Sequence, residues 1–235
     1  MLGQSASLNA SNSKTFSPAF CLLPPASCYN RWRYTLQYFD VDQHQIEITF
    51  TQLVAAYNTA GRYYHTLQHI HDVLHKIQTL PADSQNLPSI QLAAWFHDAV
   101  YDTQAQDNEA KSAEYAGQVL TDLAIPINQI TTVQRLILNT KHHQATADDI
   151  DSHILLDADL AILAADPVDY QKYAHAIRQE YAWVTEAEYI QGRKQVLEKF
   201  LQRPHIYFTP LMVEMAEQAA RANLQAEIQR LSFDR

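Results

Sequence analysis

Apolar residues recur at three- and four-residue intervals along nearly the whole chain, and only four glycines interrupt its 235 residues. That spacing gives a helix one apolar stripe to bury, whereas a sheet protein needs strict alternation and the turn glycines of hairpins. The fold class expected is therefore all-α, a bundle of about eight to ten helices without substantial sheet. With 47% hydrophobic residues and no long linker, the chain can bury one large core.

Residues 1–28 depart from this pattern. They are rich in Ser and Asn, lack periodicity and run through the Pro24-Pro25 pair, so they read as a leader ahead of a single domain over 29–235. The leader has neither the charged start nor the apolar centre of a signal peptide, and no later run reaches the roughly 20 apolar residues of a membrane span. Cys21 and Cys28 could form at most one bridge, which fits a reducing compartment. A soluble, cytoplasmic protein with no membrane partner is expected. Its net charge of −9 repels phosphate backbones and no basic run offsets it, which excludes bulk nucleic acid but not a small phosphate held by local cations. The sequence leaves assembly open, a homodimer being one option.

Histidines and acids lie at the edges of the apolar stripes. A helix expected over about Tyr64–Leu80 places His65, His69 and Asp72 on one edge of its apolar arc and turns His71 and His75 away from it. The next helix is expected to carry Trp95-Phe96-His97-Asp98-Ala99-Val100-Tyr101-Asp102. An imidazole beside a carboxylate offers two metal ligands at neutral pH. The dipeptide alone is weak, because 11 histidines in 235 residues make it a chance event and a second copy stands at His71-Asp72. Its setting adds more, since a carboxylate among apolar neighbours needs a cation or hydrogen bonds to offset its burial.

Farther on, Glu109 follows the expected N-cap Asp107, where an acid is also favoured by the helix dipole. Thr140-Lys141-His142-His143 close another helix, where basic groups complement its C-terminal end. Residues 144–153 read as an exposed loop. Asp157 and Asp159 then stand in an otherwise apolar run, Ile154 to Leu163. The last three helices, opened by Asp166-Pro167, by the capping box Thr185-x-x-Glu188 and by Thr209-Pro210, show no chemistry. Arg178, Glu180, Arg221 and Glu227 read there as solvated faces or ion pairs.

The order His65/His69, His97-Asp98, Asp157/Asp159 resembles the HD superfamily of metal-dependent phosphohydrolases, helical proteins with a His, a His-Asp doublet and a distant Asp. Arg62-Tyr63-Tyr64-His65, Trp95 to Asp102, Asn108-Glu109 and Leu156-Asp157-Ala158-Asp159-Leu160 are similar to the motifs of a bacterial group of such enzymes, and the likeness spans about Arg31 to Arg230. The resemblance implies that His69, His97, Asp98 and Asp159 ligate a divalent ion (Mn, Fe, Mg or Zn). It makes His65 a general acid, with Asp98 also orienting the attacking water. Asp157 becomes an acceptor that orients a ligand from behind or caps a backbone group. His142 and His143 match a pair that binds a second ion in binuclear branches; the further His of those branches has no clear counterpart here, with Glu109 the candidate substitute. Arg62, Lys141 and His142 are the cations expected to hold phosphate. The function implied is hydrolysis of a phosphoester, either a nucleotide or a small phosphorylated metabolite. A non-catalytic metal- or nucleotide-binding module and a di-iron oxygenase are the alternatives.

Overall fold

The computed structural model describes residues 25–80, 84 and 86–233, and every regular element among them is helical. In chain order the helices are α1 (Pro25–Leu36), α2 (Gln43–Tyr57), α3 (Leu67–Thr79), α4 (Leu87–Phe96), α5 (Asn108–Asp122), α6 (Ile127–Thr140) and α7 (Ile150–Asp159). After α7 come a 3-10 turn (Leu160–Ala164), α8 (Pro167–Glu180), α9 (Glu186–Leu201) and α10 (Pro210–Phe233). The all-α expectation holds. The expected leader falls mostly outside the described residues, but its last four positions already belong to α1, where Cys28 is buried.

α4 is the centre of the fold. Its sequence has no charged residue, and every side chain from Ser89 to Phe96 is buried, as expected for a helix that is apolar on all sides. α1, α3, α5, α6 and α7 all pack against it. Trp32 of α1 meets Trp95 and Phe96 edge-on at 5.5 and 6.0 Å. The polar edges of both indoles are satisfied, Trp32 donating to the Ile46 carbonyl and Trp95 to Thr35 Oγ1, which removes the usual cost of burying them. One continuous apolar cluster extends from Cys28 in α1 to Leu224 in α10.

Three helix boundaries differ from the sequence reading, and each difference bears on the site. α3 starts at Leu67, so His65 precedes the helix in a turn instead of lying on it. α4 stops at Phe96 with His97 as its C-cap, so Asp98 leaves the helix. α7 begins at Ile150, four residues inside the expected loop, because the Asp149 carboxylate accepts from Ser152 N and caps it.

Candidate metal centre

α3, α4 and α7 pack against one another, with the first turn of α3 meeting the last residues of the other two. His69 lies in that first turn, His97 caps α4 and Asp159 ends α7. Two helix C-termini and one helix N-terminus close on one point, so the helix dipoles offset in part and the carboxylates supply most of the negative charge there. His69 Nε2 and His97 Nε2 are 3.2 Å apart, and Asp159 Oδ1 is 3.2 and 3.5 Å from them. These three ligand atoms lie within 4.8 Å of one another and could hold a metal ion. Asp98 Oδ2 adds a second carboxylate oxygen, 3.1 Å from His97 Nε2 and 3.6 Å from His69 Nε2.

The tautomer of His97 follows from its partners. Nδ1 sits 3.0 Å from the Ala94 carbonyl oxygen, which only accepts, so Nδ1 carries hydrogen in either protonation state. Nε2 is the nitrogen that faces the cluster, protonated beside the carboxylates or, with that proton displaced, free to ligate a cation. Burial alone would push the His97 pKa down, yet Asp98 and Asp159 outweigh it and hold the imidazole well above its ordinary value. Burial would likewise raise both carboxyls, and His97 above all overcomes that, keeping Asp98 and Asp159 ionised far below the usual carboxylate range. Both effects express the attraction of buried carboxylates for positive charge at this spot.

A second layer of contacts surrounds the ligands. His143 Nε2 binds the other oxygen of Asp159 at 2.9 Å, and its backbone φ of +46° lies in the left-handed region that non-glycine residues seldom adopt. His65 Nε2 faces Asp98 Oδ2 at 4.0 Å, while Nδ1 donates to Glu180 Oε2 at 2.7 Å. The remaining oxygen of Glu180 accepts the backbone N–H groups of Tyr63, Tyr64 and His65 at 2.7–2.9 Å, and Tyr101 OH donates to Oε2. Burial would raise the Glu180 pKa; the hydrogen bond and charge of His65 prevail and lower it to about 2.

Several expectations need correction here. Glu180 is no solvated face: it is 5% exposed and organises the whole His65 turn. Its signal was present, since it continues the α8 stripe of Tyr170, Tyr173 and Ile177 at helical spacing. Glu227 forms an ion pair, one of its two expected readings, here a buried one, gripping Arg193 with both oxygens and accepting from Tyr170. Arg62, expected to hold phosphate, is not among the residues that line the cleft at the cluster. Its guanidinium donates to the carbonyls of His65, Asp98 and Ala99 and to Thr59 Oγ1. Of the adjacent histidines, His143 joins the centre while His142 is exposed beside Lys199 and Arg203, away from it. Asp72 is exposed and bonded to Gln68. Asp157, fully buried, takes the second of its two expected roles: it turns to the opposite side of α7 and caps backbone groups, accepting from Phe208 N, Thr209 N and Thr209 Oγ1 at 2.6–2.8 Å.

A cleft of about 570 Å³ opens onto the cluster, with His65, His97, Asp98, His143 and Asp159 among its lining residues. Glu109 and Lys141 line it as well, and Lys141 Nζ donates to the Gln106 carbonyl. α8, α9 and the turn between them also line it, Phe200 lying 5.9 Å from the His143 ring and Trp183 donating to Thr103 Oγ1 at 2.7 Å. Comparisons with protein-family models, curated proteins and solved structures give no match to this chain. Fold and site together define an all-helical protein with a His/His/Asp cluster that could bind a metal ion. No helix among the described residues is long and apolar enough to cross a membrane.

Proposed function

We propose that this chain is a metal-dependent phosphohydrolase acting on a small phosphoester. The observation that carries this reading is the convergence of His69, His97 and Asp159, the last two of which line a cleft. His65 is held beside the same point by a buried carboxylate. Two imidazoles with two carboxylates suit Mn²⁺, Fe²⁺, Mg²⁺ or Zn²⁺, with Asp98 as the fourth ligand. Such an ion, when bound, supplies Lewis acidity and a water of lowered pKa.

The protein's own groups account for the rest of the chemistry. Glu180 fixes the His65 ring with Nδ1–H as donor. Burial acts to lower the His65 pKa, but Asp98 and the Glu180 hydrogen bond raise it. Nε2 can then hold a proton for a leaving oxygen, a role that contributes roughly 10²–10⁴-fold to rate. Asp98, between His65 and the ligand histidines, is placed to orient an attacking water. Lys141 at the cleft wall supplies charge to attract an anion. His143, on the far oxygen of Asp159, is the group from which a second ion would be held.

Metal analysis of the purified full chain, followed by a phosphate-release screen over nucleotides and small phosphoesters, tests the proposal. Bound divalent metal with phosphate release that a chelator abolishes is the expected result. Metal retained without turnover of any ester would instead identify a binding module, and oxygen consumption by an iron-loaded chain an oxygenase.

A further inference from the structure

The α8–α9 wall of the cleft is apolar and partly aromatic, formed by Ile177, Trp183, Tyr189, Val196, Leu197 and Phe200. Trp183 and Val196 remain 52% and 44% exposed. Ile177, Tyr189 and Leu197 are buried behind them, so Trp183, Val196 and the part-buried Phe200 present the uncovered apolar surface, and its burial next to a site for charge favours a ligand.

Of the two long-chain cations along the same cleft, Arg193 is neutralised by a carboxylate and Lys141 keeps its charge for a single phosphoryl group. Arg193 is bound to Glu227 through Nε and Nη2 at 2.8 and 3.1 Å and lies over the Tyr173 ring. Lys141 is bonded to the Gln106 carbonyl. Glu188 closes the capping box of α9 with Thr185, and Glu109 adds negative charge. A polyphosphate chain needs several cations along its length, and this wall offers no such row. Sugar hydroxyls set against Trp183, Val196 and Phe200 would find no partner on those side chains, which costs affinity there, although Thr103, Asn108, Thr140 and Tyr181 also line the cleft.

We infer that the substrate is a phosphomonoester of an apolar, aromatic alcohol, with its single phosphoryl group at the His69/His97/Asp159 cluster and its ring system against the α8–α9 wall. This rests on the hydrolase reading for the fate of the phosphoryl group, but not for the binding preference, so the two can fail separately.

Calorimetric titration of the metal-loaded full chain with 1-naphthyl phosphate, inorganic phosphate, glucose 6-phosphate and a nucleoside triphosphate measures that preference. Burial of the naphthyl ring should make its ester bind about 10- to 100-fold more tightly than the other three. Val196→Asp, at a half-exposed position where folding tolerates a charge, should remove most of that advantage, with metal content checking that the site is intact. Equal or tighter binding of the sugar phosphate, the triphosphate or phosphate itself overturns the inference, as does absence of binding by the naphthyl ester. Preferential binding of the naphthyl ester with no phosphate released from any ester leaves the inference standing and refutes the hydrolase.

Discussion

His65 and His69, four positions apart, face different tasks because one precedes α3 and the other lies within it. His69 is 3% exposed and looks into the cluster; His65 has one nitrogen tied to Glu180 and the other toward Asp98. His69→Ala should therefore lose bound metal, whereas His65→Ala should keep it and lose about 10²-fold or more in turnover. Metal analysis beside a rate assay separates the two. Glu180 carries a pH signature. Its folded pKa of about 2 lies below its ordinary value of 4.5, so its stabilising contribution is complete above pH 4.5 and is lost as pH falls toward 2. Urea unfolding at successive pH values should show the wild-type chain losing stability across that interval more steeply than Glu180→Gln, which has no carboxyl to protonate.

The site is assembled at helix ends, where side chains can converge and backbone groups are unpaired. Tyr57 OH donates to the Trp95 carbonyl at 2.9 Å, and Arg62 takes the carbonyls of Asp98 and Ala99. These bonds fix the exit of the chain from α4 and hence the position of Asp98. α7 illustrates how one helix serves two purposes. Residues 157 and 159 are 200° apart around its axis, so Asp159 reaches the cluster while Asp157 ties the segment entering α10. Asp159→Asn should abolish tight metal binding. Asp157→Asn should retain metal, with affinity lowered at most 10–100-fold, and lose roughly 1–3 kcal/mol of stability from unpaired donors at Phe208 and Thr209. Metal content and denaturant midpoints distinguish the outcomes, and the opposite ranking would mean the two acids have exchanged roles.

Across the whole molecule, α8, α9 and α10 connect the site to the rest of the fold. Glu180 reaches from α8 to the His65 turn, Arg193 of α9 grips Glu227 of α10, and Asn223 of α10 donates to the carbonyls of Leu163 and Ala165 after the 3-10 turn. Breaking the buried Arg193–Glu227 pair by Glu227→Ala leaves an uncompensated guanidinium and should cost about 3–5 kcal/mol. Its effect should be read as a lower denaturant midpoint, with residual metal binding because no cluster ligand is touched.

What the sequence by itself determined was local. The 3.6-residue periodicity and scarce glycine specify helices because backbone hydrogen bonding and stripe burial act over a few residues. The same locality made the Thr185/Glu188 cap, the edge position of His69, the His97-Asp98 pair among apolar neighbours and the opposition of Asp157 and Asp159 legible. Packing decided the rest. Glu180 lies 115 residues from the histidine it holds, Arg62 binds carbonyls that only the end of α4 brings to it, and His143 rather than its neighbour enters the cluster through a left-handed backbone. No periodicity encodes such meetings, because they depend on which helix ends come together when the apolar faces close on α4.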